Sequence, residues 1–155
     1  MEDKAKILDI DAALLSEACA MIAVAGTSCV VARGGQIIHT ADGRGVAPLL
    51  ALYHQERDKL KGSCVVDRVI GKAAAMILVL GGVKAVYGEI LSAVAGAYLS
   101  EHGIAYAYGA CVDGIINQTG TGLCPIEGSV LAIDDPVAGL EAIIHKVQEL
   151  RSGVA

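Results

Sequence analysis

The sequence predicts an α/β domain of three layers, α-β-α, in which a mixed five-stranded sheet carries helices on both faces. Three observations predict it. Two β-branched runs joined by Gly34-Gly35 read as an antiparallel hairpin. From Cys64 onward, strand patterns alternate with helix patterns as β-α-β-α-β, which implies parallel strands with right-handed crossovers. Hydrophobic residues make up 54% of the chain, with no Trp and no Phe, so the interior is built from Ala, Val, Ile and Leu, which suits helices packed closely on a sheet. At 155 residues the chain fits a single domain, 1–155, with one core.

In chain order, Asp9 or Asp11 caps a first helix, because Ile10, Leu14, Leu15, Ala18 and Met21 recur at helical spacing up to Gly26. The hairpin strands are residues 28–33 and 36–40. Asp42-Gly43-Arg44-Gly45 makes a loop, and Pro48 in a first turn starts a helix, led by Leu49, Leu50, Leu52 and Tyr53, that runs out near Lys61-Gly62. Then come strands at 64–67, 83–87 and 104–108, with helices at 69–81 and 91–102 between them. Residues 117–128 form a Gly-rich loop. Asp134-Asp135-Pro136 caps a last helix at 137–150.

Composition excludes several classes of function. A net charge of -5 offers no broad basic surface, and no aromatics interleave with Lys or Arg, so a nucleic-acid partner is not expected. The longest uncharged run near the N-terminus, residues 18–32, is broken by Gly26, Thr27 and Ser28 and is too short to span a bilayer. Met1-Glu2-Asp3-Lys4 is acidic where a secretory signal is basic, so a cytoplasmic protein without a membrane partner is expected. Cysteines 19, 29, 64, 111 and 124 form no Cys-x-x-Cys and an odd set, which gives neither a disulfide framework nor a standard zinc module. No cofactor and no metal ligands are predicted.

Charge is concentrated at Asp67-Arg68-Val69-Ile70-Gly71-Lys72, where a strand hands over to a helix, the place where open α/β sheets bind ligands. Asp67 reads as a helix cap or an acid/base, and Arg68 as a surface charge or a ligand contact. Lys72 in a first turn opposes the helix dipole by a few tenths of a kcal/mol unless an anion or carboxylate sits nearby. Gly71 weakens a helix interior and so points to a close approach of backbone or ligand. Gly43-Arg44-Gly45 and Gly120-Thr121-Gly122 each precede a Pro by the same spacing, and either loop could present amides to an anion, with Arg44 adding fixed charge. Cys124 is the best nucleophile candidate and Glu127 an acid/base candidate. Each has a plain alternative: a turn thiol, and a helix-start carboxylate. Asn117 is a ligand contact or a turn residue.

His54-Gln55-Glu56 matches half of a zinc deaminase signature, but the Pro-Cys-x-x-Cys half is missing and His54 falls late in its helix, so a solvated face is the better reading. The element order nevertheless resembles the cytidine deaminase-like fold, whose two zinc-binding helix starts would fall at residues 42–46 and 67–72. More closely, residues 44–50, 67–75, 86–87 and 115–127 resemble an uncharacterised prokaryotic domain-of-unknown-function family, a divergent zinc-less branch of that superfamily. The resemblance implies the fold and no reaction. Gln118, where a basic residue is expected, departs from it.

Three functions follow as expectations. One is a zinc-independent enzyme with Asp67 or Glu127 as acid/base, Lys72 and Arg44 holding a nucleotide-like or anionic small molecule, Cys124 attacking it, and Arg68, Gly43, Gly45, Gly71, Asn117, Gly120 and Gly122 shaping the site. The second is a non-catalytic ligand-binding or regulatory domain with the same pocket. The third is a thiol redox or metal site from Cys64, Cys111 and Cys124. The Ala-rich apolar helices at 73–80 and 90–99 point either to a homo-oligomer or to burial on both sides within one subunit.

Overall fold

Gly34 and Gly35 both take left-handed φ, 63° and 79°, which is what a two-residue hairpin turn demands. They join β1 (Cys29–Arg33) to β2 (Gln36–Ala41), antiparallel from Cys29↔Ala41 to Arg33↔Gln36. In this computed structural model, which describes residues 1–117 and 119–153, ten further α-helices and strands are found among the described residues. They are α1 (Glu2–Leu8), α2 (Ala12–Ala23), α3 (Ala47–Gln55), β3 (Cys64–Ile70), α4 (Lys72–Gly81), β4 (Ala85–Ser92), α5 (Ala93–Glu101), β5 (Ala105–Val112), α6 (Pro125–Val130) and α7 (Pro136–Arg151). The sheet order is β2-β1-β3-β4-β5, with β3-β4-β5 parallel and β1 antiparallel to both its neighbours.

Alternation along β3 divides the core. Val65 faces a cluster with Leu49 and Leu52 of α3, Ile77 of α4, Leu99 of α5 and Ile143 of α7, while Cys64 and Val66 face Leu8 of α1 and Leu15 and Ala18 of α2. Helix α4 is buried along Lys72–Leu78, so its unbroken apolar run is explained by packing on both sides inside one subunit. Among the described residues no helix is long and apolar enough to cross a membrane.

Several expectations need correction. Strand β4 runs to Ser92 rather than Tyr87 and β5 to Val112 rather than Tyr108, so residues 91 and 92 belong to β4 and α5 starts only at Ala93. Helix α1 was not foreseen: Ala5 and Leu8 bury one narrow stripe of a charged segment, and Asp9 ends it in the left-handed conformation while Asp11 caps α2 by accepting from Leu14 N at 3.1 Å. Helix α3 stops at Gln55, followed by a 3-10 turn over Arg57–Lys59. Strand β3 does not stop at Asp67 but continues to Ile70, because Val69 and Ile70 pair with Ile90 and Leu91 of β4. Asp67 therefore caps no helix. Finally, α6 overlaps the end of the stretch 117–128 expected as a Gly-rich loop, in line with the alternative reading of Glu127 as a helix-start carboxylate. The cap at Asp135 forms as expected, accepting from Ala138 N at 2.9 Å.

Candidate functional site

The C-terminal ends of β2 and β3 and the start of β1 lie on one edge of the sheet, since β1 runs against both neighbours. A cavity of about 410 Å³ opens there. Its sides come from the loop after β2 (Gly43, Arg44, Gly45), the end of β3 (Asp67, Arg68), the junction into α4 (Gly71), the loop after β5 (Ile115, Asn117) and α6 (Cys124 at its cap, Glu127). This is where an open α/β sheet collects its functional loops.

Asp67 and Glu127 are both buried acids of the cavity, each 6% exposed. Burial pushes the Asp67 carboxyl up from the usual 3.8 to about 7, against the smaller opposing effects of the Val69 and Arg68 amides, the Arg68 charge and the Cys29 thiol. Cys29 stands opposite it in the β1-β3 register, and burial together with the Asp67 charge raises that thiol well above its ordinary value. The Arg68 side chain is exposed and donates to the carbonyls of Gly26 and Thr27, at 2.7 and 3.3 Å, which ties the start of β1 to the end of β3. Ser28 Oγ donates to the Gly43 carbonyl and so holds the Arg44 loop against the sheet. Arg44 itself is exposed and forms no ion pair among the described residues.

Glu127 and Lys72 meet in a different way from that expected. Both carboxylate oxygens of Glu127 accept from the first turn of α4, Oε1 from Lys72 N at 2.7 Å and Oε2 from Ala73 N at 2.9 Å. Glu127 is thus the cap of α4, supplied from 55 residues downstream. Burial raises its pKa, while the two amides and the Lys72 charge pull the other way. A Cβ on Gly71 would sit 2.2 Å from Glu127 Oε1 and 2.6 Å from Oε2, so the close approach that Gly71 permits is to this carboxylate. Lys72 turns away from the cavity: its Nζ donates to the Leu131 carbonyl at 3.0 Å, lies 3.9 Å from Asp134 Oδ1 and 5.7 Å from the Tyr98 ring centre. The dipole cost of a lysine at this position is thus offset by the carboxylate at the same helix end and by a carbonyl at the end of α6.

Nine of the twelve residues singled out from sequence line the cavity: Gly43, Arg44, Gly45, Asp67, Arg68, Gly71, Asn117, Cys124 and Glu127. Lys72, Gly120 and Gly122 do not. The Gly120 amide is bonded to the Asn117 carbonyl at 3.1 Å and the Gly122 carbonyl to the Asn117 amide at 2.9 Å, while the Asn117 side chain accepts from Thr121 N at 3.0 Å. These glycines build a small turn rather than an anion cradle. Gln118 lies outside the described residues. Cys64, the first residue of β3, packs into the cluster under α1 and α2 and lines a separate depression with Lys84, while Cys111 is exposed near the end of β5. The three thiols therefore do not converge, and no group of three or more His, Cys, Asp or Glu is arranged for a metal among the described residues. Sequence reading missed Ser28, Val46, Val69, Ala74, Ile115, Ile116 and Ile126, which complete the walls. Apolar wall residues carry no signal that separates them from core.

His54 is exposed on α3, as expected for a solvated helix face. Comparison with proteins of curated function gives no match. Among solved structures, a DUF1893 family protein (TM1506) from Thermotoga maritima is 26% identical, with a TM-score of 0.80 over 88% of this chain and 92% of that one. Residues 17–147 match the family described as TM1506, domain of unknown function (DUF1893). A match over so much of the chain, together with the shared fold of the Thermotoga protein, means that the chain belongs to the DUF1893 family.

Proposed function

We propose that the cavity at the sheet edge takes a small anionic, nucleotide-like molecule, with Arg44 pairing to its anion and Asp67 exchanging a proton with it. The observation that carries this reading is the Asp67 carboxyl, buried in a cavity whose rim bears the Arg44 guanidinium, which has no ion pair among the described residues; burial pushes that carboxyl up to about 7. Buried carboxyls that titrate near pH 7 are costly to a fold and cluster at functional sites. The volume lies within the range of ligand sites, and the apolar walls of Ile115, Ile126, Val46 and Ala74 suit the uncharged part of such a molecule.

Glu127 is engaged with two amides and Lys72 with a carbonyl, so Asp67 and Cys124 are the groups left to react. We read the fold as a zinc-less form of the cytidine deaminase-like architecture. Supporting this, the two helix starts that would hold zinc, at residues 42–46 and 67–72, border one and the same cavity. Their residues do not suit zinc: Arg44 and Lys72 are cations, and neither His nor Cys stands at either position. A cytoplasmic setting accords with five free thiols.

The test is a thermal-shift panel of nucleoside monophosphates, sugar phosphates and small carboxylates on the wild type, Arg44→Ala and Asp67→Asn. The reading expects a compound whose affinity falls at least about tenfold in Arg44→Ala, the loss of one charge-assisted contact. No stabilising compound, or one indifferent to both substitutions, overturns it. Cys124→Ser then separates the two uses of the site: unchanged affinity and no turnover in either protein mean binding alone, while turnover abolished by the substitution means covalent catalysis.

A further inference from the structure

Between Leu123 and Ile133, apart from the pairing with Ile115 and Ile116, three hydrogen bonds reach another element among the described residues. All three come from the first two residues of α4: the Lys72 and Ala73 amides to Glu127, and Lys72 Nζ to the Leu131 carbonyl. The pairing with Ile115 and Ile116 is the Cys124 N to Ile115 O bond at 2.9 Å and the Ile116↔Leu123 bridge, and bonds within the segment include Gly128 N to Cys124 O at 3.0 Å, Ser129 Oγ to Ile126 O at 2.6 Å and Ile133 N to Val130 O at 3.0 Å. The two ends of α6 are held unequally. Val130 is fully buried and Leu131 is tied to Lys72, whereas Cys124, Pro125 and Ile126 are half-buried or exposed.

We propose that the wall formed by Ile115, Ile116 and the N-terminal half of α6 is a hinged gate to the cavity, pivoting at Val130 and latched by the Glu127 carboxylate on the α4 N-terminus. The gate supplies Ile115, Ile116, Cys124, Ile126 and Glu127 to the cavity lining, so its opening changes both the size of the cavity and the access to it. Its parts move together because their hydrogen bonds are to one another. The inference stands on the α4-α6 contact and holds whether or not the cavity binds an anion.

The first two amides of α4 have no partner within their own helix, so Glu127 alone protects them. They report the latch directly. Helical amides further along are bonded within the helix, as Ala75 N is to the Gly71 carbonyl at 3.0 Å, and report α4 itself. Gly71→Ala is the lever: the backbone there is extended, at φ -104° and ψ -176°, which alanine adopts freely, and its methyl group would occupy the place of the carboxylate.

The experiment is amide hydrogen exchange by NMR on the full chain, wild type and Gly71→Ala, with alkylation of Cys124 followed in parallel. The gate expects Lys72 and Ala73 amides in the wild type to exchange at least about tenfold faster than Ala75, through a partial opening. In Gly71→Ala it expects a further rise of about tenfold or more at those two amides and faster Cys124 alkylation, with Ala75 unchanged. Glu127→Gln, which keeps one acceptor and loses the charge, should lie between the two. Equal protection of Lys72, Ala73 and Ala75 in the wild type, or a rise in the variants shared by the whole of α4, would show that the segment opens only with global unfolding and overturns the gate.

Discussion

Replacing Asp67 by Asn removes one ionisable proton from the floor of the cavity and leaves the shape nearly unchanged. The folded carboxyl titrates at about 7 and an ordinary aspartate at 3.8, a displacement of about three units. Between those pH values the folded chain keeps a proton that the unfolded chain has released, so stability falls as pH rises through this window and levels off above about 7. At about 1.4 kcal/mol per unit the full loss is about 4 kcal/mol, a large share of the 5–15 kcal/mol typical of a domain. The favourable contribution is complete below pH 4 and gone above pH 7. Other groups titrate as well, so the informative quantity is the difference between Asp67→Asn and wild type, measured by urea unfolding at pH 5, 6, 7 and 8. The variant should become progressively more stable relative to wild type across the series, by roughly 2–4 kcal/mol in total. Identical pH profiles for the two proteins would refute the assignment of a buried, proton-holding Asp67.

Three further outcomes follow from the same geometry. Glu127→Ala strips the α4 cap and should cost about 2 kcal/mol by denaturant unfolding, whereas an uninvolved carboxylate would cost nothing measurable. Lys72→Met leaves the aliphatic stem in its buried position and removes the donor to Leu131, so affinity for any cavity ligand should stay within about threefold of wild type; a larger fall would return Lys72 to the site. Alkylation followed by mass spectrometry should mark Cys111 well before Cys29 and Cys64, because Cys111 is exposed while burial raises the Cys29 thiol and pushes Cys64 up to about 12.

Much of the fold was legible because it rests on local patterns: the Gly34-Gly35 turn, the Asp135 cap and the alternation of short β-branched runs with apolar helices. The boundary that mattered most was misread. Asp67 and Arg68 look like the end of a strand, yet they sit inside β3 because the ladder with β4 continues through Val69 and Ile70. Most of the residues chosen for the site do gather at one cavity, since a strand end followed by a helix is a topological position that sequence can mark. The roles of Glu127, Gly71 and Lys72 were hidden for a physical reason. A carboxylate that caps a helix from 55 residues away leaves no periodicity, and a glycine that makes room for it looks like any helix breaker.

The site account stands on the protonation of one side chain, and one measurement reaches it directly. Selective ¹³C labelling of aspartate carboxyls and an NMR titration from pH 4 to 9, with Asp67 assigned by its absence in Asp67→Asn, gives its pKa in the folded chain. The inflection should fall near 7, well above the 3.8 of a free aspartate. An inflection near 4 would mean that Asp67 is an ordinary ionised carboxylate, and the cavity would lose the group that makes it a site.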